Sequence, residues 1–412
     1  MNSAQAKAYL DRIASRGMNP GLARMEKLME IMGRPEKKFK CVHITGSNGK
    51  GSTSAMLESV LRHAGIRTGM YTSPHLIDLT ERITLAGRAI SWKSLADWIG
   101  KIRERAGRME KDVTYFEVVT AAAFCAFAQA RVELAVVEVG LGARFDATNV
   151  LPAPEAALIT NISLEHTRYL GKTVESIAWE KSHIIKPGTI CVTGTSGDAL
   201  KIVRTACARA GAKLHVTTSC APSVWKKFHP SLTGDFQKMN LALVLKTIEV
   251  LKGRGWKIPL RAVLRGLNRA VWPGRFQWKS FRKTPVLLDG AHNPGAMDAL
   301  TASLRKSSFG SRPCRLVFNA LDDKNVREMA GTLLSQIPVK DVFIPRLPTE
   351  RSCNPDDIRR IFHSIRPNLP VATFSSVQGA WSSLKSSAIP GTDWIMATGS
   401  FYTVGETMRV LK

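Results

Sequence analysis

Short apolar runs alternate with segments of helical periodicity through the first half of the chain. FKCVHITG (39–46), IRTGMYTS (66–73) and VELAVVEVG (132–140) each predict a strand. Between them, STSAMLESVLRHAG (52–65) predicts a helix that ends at a glycine, and YFEVVTAAAFCAFAQA (115–130) predicts a strongly apolar helix. Strands that alternate with helices indicate parallel β-α-β units whose sheet is covered on both faces.

The alternation continues towards residue 255. EAALITNIS (155–163) predicts a further strand, and TVESIAWEKSHIIKPG (173–188) predicts a helix that ends before Pro187. QKMNLALVLKTIEVLKGRG (237–255) has the pattern of an amphipathic helix. The first part of the chain is therefore predicted to be one large α/β domain.

A segment rich in proline, glycine and charge then interrupts the pattern. NRAVWPGRFQWKSFRKTP (268–285) predicts a domain boundary, which we place between residues 1–280 and 281–412. Beyond it the alternation restarts, for example in PVLLDGAHNPGAMDALTASL (285–304) and CRLVFNALDDKNVREMAGTLL (314–334). A second, smaller α/β domain is predicted.

The charge balance widens the range of candidate partners. Among 412 residues, 59 Lys and Arg outnumber 33 Asp and Glu, giving a net charge of +26. Such an excess can indicate a nucleic-acid partner. Here the basic residues are scattered rather than gathered in a long run, which favours a generally basic surface that steers small anionic ligands.

Cysteine usage and hydropathy predict a cytoplasmic protein. Seven cysteines form an odd set without a C-x-x-C pair, which argues against a disulfide framework or a zinc knuckle. No apolar stretch approaches the roughly 20 residues of a membrane helix, and the N-terminus has no signal-peptide pattern. We therefore expect no membrane association.

The stretch TGSNGKGST (45–53) follows the first strand and precedes the first predicted helix of this pattern. Its spacing differs from the common phosphate loop, because two residues separate Gly46 from Gly49 and Gly51 stands between Lys50 and Ser52. A strand, a glycine-rich turn and a helix direct backbone N–H groups at an anion, and Lys50 can reach phosphates. A simple glycine turn with an exposed lysine is the alternative.

Polar residues at the ends of neighbouring strands suggest a metal site. Glu138 ends an otherwise apolar strand, where a carboxylate should meet a cation such as Mg²⁺ or cap a neighbouring helix. His166 follows the next strand, as a ligand or as a structural residue. Ser73 can supply a neutral oxygen, or it can start the turn before Pro74.

Other polar residues have both functional and structural interpretations. Lys181 lies in a largely apolar helix, where it either snorkels or has its pKa lowered by burial; a neutral amine can form a carbamate with CO₂. Four further polar residues lie in or beside glycine-rich turns: Asn240, Arg275, Asp289 and His292. Their structural alternatives are a helix cap, a surface arginine in the case of Arg275, and ordinary turn residues.

Taken together, several segments resemble the signature segments of the folylpolyglutamate synthase/dihydrofolate synthase family, the folate branch of the Mur-ligase-type ATP-dependent amide ligases. The resemblance spans nearly the whole chain, and the loop at 45–53 matches that family's own ATP loop. It implies a Mur-ligase-like P-loop NTPase domain with a parallel sheet, followed by a smaller Rossmann-like α/β domain. The segments are HITGSNGKGSTSAMLESVLRHAGIRTGMYTSPHLIDLTERI (43–83), EVGLGARFDATNV (138–150), ITNISLEHTRYLG (159–171), EKSHIIKPG (180–188), WPGRF (272–276), LLDGAHNPGA (287–296) and ATGSFYTVGE (397–406).

The resemblance implies ATP and two Mg²⁺ ions as cofactors, with dihydropteroate or a reduced folate and L-glutamate as substrates. Lys50, Lys181 and His292 would act in catalysis, and Lys181 would be carbamylated to serve the second Mg²⁺. The nucleotide would be held by Gly49, Lys50, Gly51, Ser52, Asn240, Arg275 and Asp289. The first Mg²⁺ would be held by Ser73, Glu138 and His166, and the pterin-bearing substrate would be bordered by His75, Asp146, Ala147 and Thr148.

The sequence also departs from the family pattern. Where the family usually has Gly, Gly, Asp, His and Gly, this chain has Ala143, Ser163, Glu165, Phe236 and Asn319. These differences suggest a divergent member with an altered substrate preference. A monomer without a specific nucleic-acid partner is expected. The alternatives are a Mur-type ligase for another carboxylic acid, a basic P-loop ATPase that binds nucleic acid, and a catalytically inactive binding module.

Overall fold

The computed structural model describes residues 1–15, 17, 19–107, 109, 112–387 and 393–411. They form two compact units. The first comprises Met1–Ser231 and Met239–Val271, and the second comprises Leu232–Lys238 and Trp272–Lys412. The predicted domain limits, 1–280 and 281–412, stay a prediction.

The first unit contains one eight-stranded sheet. Its strands are β1 (Lys40–Thr45), β2 (Thr68–Tyr71), β3 (Ile83–Leu85), β4 (Arg88–Ala89), β5 (Leu134–Glu138), β6 (Ala156–Ile159), β7 (Ile190–Thr193) and β8 (Lys213–Val216). The strand order is β4-β3-β2-β5-β1-β6-β7-β8. The six strands β2-β5-β1-β6-β7-β8 are parallel to their neighbours. Strands β3 and β4 pair in antiparallel orientation beside β2.

Helices accompany this sheet. They are α1 (Ser3–Ala14), α2 (Ala23–Ile31), α3 (Lys50–His63), α4 (Trp92–Ala106), α5 (Tyr115–Gln129), α6 (Thr167–Leu170), α7 (Val174–Lys181), α8 (Gly197–Arg209), α9 (Pro222–Phe228), α10 (Gln237–Gly253) and α11 (Leu260–Arg269). Short 3₁₀ turns occur at Pro35–Lys37, Leu79–Arg82, Ala147–Val150 and Ser182–Ile184. No helix in the described ranges combines the length and the hydropathy needed to cross a membrane.

The centre of the sheet is apolar because it is covered on both faces. Every residue of β5 and β6 is buried. The apolar helix α5 belongs to the core on one side, where Phe124 and Phe127 pack against Phe39. Its start is fixed by a capping box, in which Thr114 and Glu117 exchange hydrogen bonds between side chain and backbone.

Strand register places the predicted functional positions at one edge of the sheet. Glu138 pairs with Ile44 across β5 and β1, and Ile159 pairs with Thr45 across β6 and β1. On the other side of β5, Tyr71 of β2 pairs with Val137. The chain therefore leaves β1, β2, β5 and β6 at the same edge, which is where parallel α/β sheets bind ligands.

The second unit is a smaller α/β structure with its own core. Its elements are β9 (Gln277–Phe281), β10 (Thr284–Leu288), α12 (Pro294–Arg305), β11 (Cys314–Phe318), α13 (Val326–Gln336), β12 (Val339–Pro345), α14 (Pro355–Ile365), β13 (Val371–Phe374), α15 (Val377–Ser387), β14 (Trp394–Thr398) and α16 (Phe401–Val410). The strand order is β13-β12-β11-β14-β10-β9, parallel except for β9. Aromatic packing of Trp394 with Trp278 and Phe309 contributes to the core.

The predicted α/β architecture is confirmed, with two differences in detail. The predicted helix at 173–188 ends as an α-helix at Lys181, and a 3₁₀ turn (Ser182–Ile184) continues it. Each sheet also has an antiparallel edge that the periodicity did not predict. These edge strands are short or partly exposed, so they lack the long apolar run of a central strand.

Candidate active site

The glycine-rich loop joins β1 to α3, as predicted. Gly46 has φ of 141° and Gly49 has φ of 86°, backbone conformations that favour glycine. A Cβ at Gly46 would collide with the Thr160 hydroxyl, and one at Gly49 would collide with the side-chain oxygen of Asn240. Both glycines are therefore required by close approach, and Asn240 lies against the loop.

The segment after β6 holds this loop in place. The N–H groups of Ser47 and Asn48 donate to the backbone and side-chain oxygens of Asn161, at 2.8 Å each. The hydroxyl of Thr160 donates to the Asn48 carbonyl at 2.6 Å, and the N–H of Ser163 donates to Ser47 Oγ at 3.0 Å. Asn161 is not among the residues predicted from the sequence, where its local signal is a polar run directly after an apolar strand.

Helix α3 begins where the loop ends. Its first intrahelical hydrogen bond runs from the N–H of Thr53 to the carbonyl of Gly49 at 2.9 Å. The N–H groups of Lys50, Gly51 and Ser52 therefore belong to the first turn, whose amides point out of the helix and attract anions. This arrangement suits the phosphate group of a nucleotide.

Two lysines converge on the loop carbonyl of Gly46. Lys50 Nζ donates to the carbonyl oxygens of Gly46 and Ser47, at 2.9 and 3.2 Å. Lys181 Nζ, from the end of α7, donates to the same Gly46 oxygen at 3.0 Å. Residues 131 positions apart in the chain thus bring two cationic groups to one side of the phosphate loop.

Lys181 is buried and does not snorkel to the surface. Its Nζ lies 2.8 Å from Glu165 Oε1, and both side chains are almost fully enclosed. Burial lowers the pKa of Lys181, and the Glu165 carboxylate opposes this shift. Burial also acts to raise the pKa of Glu165, but the charges of Lys181 and Lys50 outweigh it and hold that pKa below its usual range.

The Lys181 amine is thus held between a carbonyl and a carboxylate. A carbamate at this nitrogen would bring a second anion beside Glu165, which like-charge repulsion disfavours. Carbamylation of Lys181 stays a prediction.

The residues predicted to hold the first Mg²⁺ lie at or after the carboxyl ends of β2, β5 and β6, with β1 between β5 and β6. Glu138 is buried at the end of β5, Ser73 lies two residues beyond β2, and His166 caps the start of α6 in a left-handed conformation with φ of 46°. Carboxylate and hydroxyl oxygens are donors that Mg²⁺ accepts. Among the residues that the structure describes, no three His, Cys, Asp or Glu side chains form a metal cluster. A metal site formed by Glu138 and His166 would therefore also need the Ser73 hydroxyl and oxygen atoms of a bound nucleotide.

The DATN segment (Asp146–Asn149) is tied to the loop that follows Glu138. One oxygen of Asp146 accepts the N–H groups of Gly140 and Leu141, at 3.0 Å each. The other accepts the N–H and the hydroxyl of Thr148, at 3.0 and 2.5 Å. Ala147 is buried in the core. Asp146 and Thr148 thus shape this loop, and their contact with a substrate stays a prediction.

Burial raises the pKa of Asp146, and the hydrogen bonds from Thr148, Leu141 and Gly140 oppose the shift. His75, predicted at the same substrate, accepts a hydrogen bond at Nδ1 from Arg82 Nε at 3.0 Å. The neutral His75 ring therefore carries its proton on Nε2.

Three predicted residues come together in the second unit. The two oxygens of Asp289 accept the N–H groups of Phe276 and Ala291 at 2.8 Å each, and burial raises the pKa of Asp289 while Arg275 opposes the shift. The Arg275 guanidinium lies 4.2 Å from the Phe401 ring centre, and the His292 ring lies 5.0 Å from it.

His292 Nδ1 donates to the Gly290 carbonyl at 2.8 Å, which directs Nε2 away from that turn. Arg275 and His292 therefore both lie against the Phe401 ring, and the charge of Arg275 also acts on Asp289.

Most of the residues that depart from the family pattern have identifiable structural roles. Ala143 is buried in the apolar core beside β6, and the ring of Phe236 packs edge-on against Phe276 at 6.1 Å. Asn319 is fully buried, donating to the Pro345 carbonyl and accepting from the N–H of Ala320 at 2.6 Å each. Glu165 pairs with Lys181, whereas nothing in the structure explains the side chain of Ser163.

Comparison with known proteins places this chain in a family. Residues 44–250 match the Mur ligase middle domain, and residues 274–401 match the Mur ligase, glutamate ligase domain. The dihydrofolate synthase/folylpolyglutamate synthase of Bacillus subtilis is 32% identical, with 99% of this chain aligned to 98% of that protein. The chain belongs to the dihydrofolate synthase/folylpolyglutamate synthase family.

Solved structures of this family superpose on the whole chain. The E. coli FolC complex with DHPP and ADP has a TM-score of 0.87 and 28% identity, covering 100% of this chain and 97% of that one. A family structure with Mn, AMPPNP and L-glutamate bound has a TM-score of 0.83 and 29% identity, covering 100% of this chain and 98% of that one.

A longer relative occurs in Haloferax volcanii, a probable bifunctional folylpolyglutamate synthase/dihydropteroate synthase that is 33% identical over 94% of this chain. The chain spans about half of that relative, 48% of its length.

Proposed function

We propose that this chain is an ATP-dependent ligase that joins the α-amine of L-glutamate to a carboxylate of dihydropteroate or of a reduced folate. The observation that carries the proposal is the convergence of Lys50 and Lys181 on the Gly46 carbonyl of a glycine-rich loop, at the sheet edge where Glu138 ends β5. Family structures with ADP, or with AMPPNP, Mn and L-glutamate, support a nucleotide, a divalent metal and glutamate as its ligands.

A carboxylate is a poor acylating agent and has to be activated. In the proposed reaction the substrate carboxylate attacks the γ-phosphorus of ATP. ADP departs as the leaving group, and the substrate becomes an acyl phosphate. The amine of glutamate then attacks the acyl carbon, and phosphate departs from the tetrahedral intermediate. Such reactions depend chiefly on positioning and on electrostatic stabilisation of the transferring group.

The first turn of α3 is proposed to bind the ATP phosphates through the backbone of Gly49, Lys50, Gly51 and Ser52. Lys50 then exchanges its hydrogen bonds to the Gly46 and Ser47 carbonyls for phosphate oxygens. Asn240 is proposed to contact the nucleotide, because its side chain already lies against Gly49.

Ser73, Glu138 and His166 are proposed to hold Mg²⁺, since carboxylate and hydroxyl oxygens are ligands that this ion accepts. When bound there, Mg²⁺ supplies positive charge to the phosphate oxygens. Glu165 is proposed to hold Lys181 in place at the loop through the 2.8 Å ion pair.

In the second unit, we assign nucleotide contacts to Arg275 and Asp289, with Asp289 on the ribose side. His292 is assigned to the phosphate or to the incoming glutamate. Asp289 is suited to a fixed position because two backbone N–H groups hold its carboxylate. His75, Asp146, Ala147 and Thr148 are assigned to the border of the pterin-bearing substrate.

ATP and the proposed organic substrates are anions, and the net charge of +26 would steer them towards the protein. We propose a cytoplasmic monomer without a specific nucleic-acid partner. The odd cysteine count and the scattered basic residues support this proposal.

The test is a ligation assay with purified protein, ATP, Mg²⁺ and L-glutamate. Phosphate release should require dihydropteroate or tetrahydrofolate, offered separately, and mass spectrometry should detect the product with one added glutamate. Chelation of the metal should stop the reaction. Phosphate release that depends on a different carboxylic acid, or that needs no acid, would contradict the proposal and favour another Mur-type ligase or a plain ATPase.

A further inference from the structure

A buried line of hydrogen bonds connects β1 to the loop after Glu138. His43, in β1, is fully buried, and its Nε2 lies 2.8 Å from the hydroxyl of Thr148. That hydroxyl lies 2.5 Å from one Asp146 oxygen, and the other oxygen of the carboxylate accepts the N–H groups of Gly140 and Leu141. The line joins residues that are 105 positions apart in the chain.

The network fixes the direction of each hydrogen bond. The Asp146 carboxylate only accepts, and it receives donors from Thr148, Gly140 and Leu141. The single hydroxyl proton of Thr148 is therefore directed at Asp146, so His43 Nε2 must be the donor to Thr148. Nδ1 of His43 then carries no proton, and among the described residues this buried nitrogen has no hydrogen-bond partner.

The environment keeps the ring neutral. Burial lowers the pKa of His43 to about 3, and the nearby charge of Lys186 lowers it further. A neutral imidazole with its proton on Nε2 satisfies the network, because its N–H faces the Thr148 hydroxyl oxygen.

Strand β1 holds the same loop at a second point. Thr45 lies two residues after His43, on the same face of the strand, and its hydroxyl donates to the Gly142 carbonyl at 2.9 Å. One residue later β1 passes into the phosphate loop at Gly46. One strand therefore presents the phosphate loop and also holds the loop that carries Asp146.

We propose that His43 is a positioning residue that fixes the loop 140–148 relative to the phosphate loop, through Thr148 and Asp146. It donates one hydrogen bond that directs the Thr148 hydroxyl to Asp146, so that the carboxylate can hold Gly140 and Leu141. His43 itself touches no substrate. The inference rests on the proposed function, in which this loop borders the pterin-bearing substrate.

The proposal separates the roles of the two loops. Loss of the His43 donor should disturb the loop 140–148 and leave the phosphate loop intact, since the latter is held by Asn161 and Thr160. The Michaelis constant for the pterin substrate should therefore respond, and that for ATP should not. A general loss of packing would affect both.

Three variants test this. His43→Leu removes the donor at similar size, His43→Gln keeps an N–H near the position of Nε2, and Val42→Ala truncates a fully buried neighbour on the opposite face of β1. We expect His43→Leu to raise the KM for dihydropteroate or tetrahydrofolate about tenfold with the KM for ATP unchanged. His43→Gln should restore most of the loss, and Val42→Ala should leave both constants near wild type.

An equal rise in both KM values, an unaltered KM for the pterin substrate, or the same effect from Val42→Ala would overturn the proposal. If the wild-type protein ligates no glutamate, the proposed function is contradicted instead. The comparison of the variants tests only the role of His43. A direct readout is the ¹⁵N spectrum of histidine-labelled wild type at pH 7. The signal that disappears in His43→Gln should be that of a neutral ring with its proton on Nε2. If the lost signal is that of a ring protonated at Nδ1, or at both nitrogens, the assignment is overturned.

Discussion

Lys181 and Glu165 form an ion pair of 2.8 Å with both side chains almost fully enclosed, directly beneath the phosphate loop. The ammonium group also donates to the Gly46 carbonyl, so the pair connects α7 to the turn that follows β1. At the position of Glu165, the family to which the chain belongs usually has Asp. The longer Glu165 side chain reaches the lysine, which gives the buried cation a partner of opposite charge.

Replacing Glu165 with Gln should destabilise the protein strongly. Removal of one partner from a buried pair leaves an uncompensated charge and costs about 3–5 kcal/mol of unfolding free energy. Urea unfolding of wild type and Glu165→Gln at pH 7 measures this difference. Glu165→Asp keeps the charge on a shorter arm and serves as the control, with a smaller loss expected. Equal stability of wild type and Glu165→Gln would show that Lys181 is not held as a charged partner.

Lys50→Ala should abolish ligation while the fold survives. Lys50 Nζ donates to the loop carbonyls of Gly46 and Ser47, so its removal takes away the proposed phosphate contact without opening a core cavity. We expect turnover to fall by about 100-fold or more, the scale of losing one charge-stabilising donor. Lys93→Ala, at an exposed lysine of α4, is the control and should retain full activity. Retained turnover in Lys50→Ala would remove this loop from the mechanism.

Local patterns predicted the phosphate loop and the central strands. Gly46, Gly49 and Lys50 lie within five residues, and the apolar runs of β5 and β6 are continuous, so periodicity and turn chemistry suffice to place them. The end of β5 at Glu138 was predicted for the same reason. Residues that follow parallel strands meet at one edge, which the sequence alone indicates.

Partnerships between distant residues could not be predicted in this way. Asn161 holds a loop more than 110 positions away, and His43 reaches Thr148 over 105 positions. Neither side chain differs in its local pattern from an ordinary strand or turn residue. Glu165 was noticed only as a departure from the family, because its partner Lys181 lies on a separate helix. Such pairings are set by tertiary packing.

Gly49→Ala should impair nucleotide binding as well as stability. The new Cβ would meet Asn240, and an L-residue is strained at φ of 86°. Gly65 offers a matched control, since its φ is 85° and a Cβ there meets nothing within 4 Å. Both variants should lose about 1 kcal/mol of unfolding free energy to backbone strain. Calorimetric titration with ATP should show weakened binding in Gly49→Ala alone, and equal ATP affinity in both variants would contradict the role of this contact.

His43 should make folding stability depend on pH below its unfolded pKa. The unfolded ring titrates at about 6.5, whereas burial lowers the folded pKa to about 3. Between these values the unfolded state binds more protons, so the contribution of His43 is complete above about pH 6.5 and is lost as the pH falls towards 3.

The free energy of unfolding of wild type should therefore fall relative to His43→Gln, by up to about 1.4 kcal/mol per pH unit. Comparing the two proteins at each pH removes most of the contributions of other groups, including Glu165, whose lowered pKa also costs stability in acid. Urea unfolding at intervals from pH 7.5 to pH 4 provides the measurement, with circular dichroism to confirm that both proteins are folded at each starting point. Parallel pH profiles for the two proteins would mean that the His43 ring is charged, or exposed to water, in the folded state.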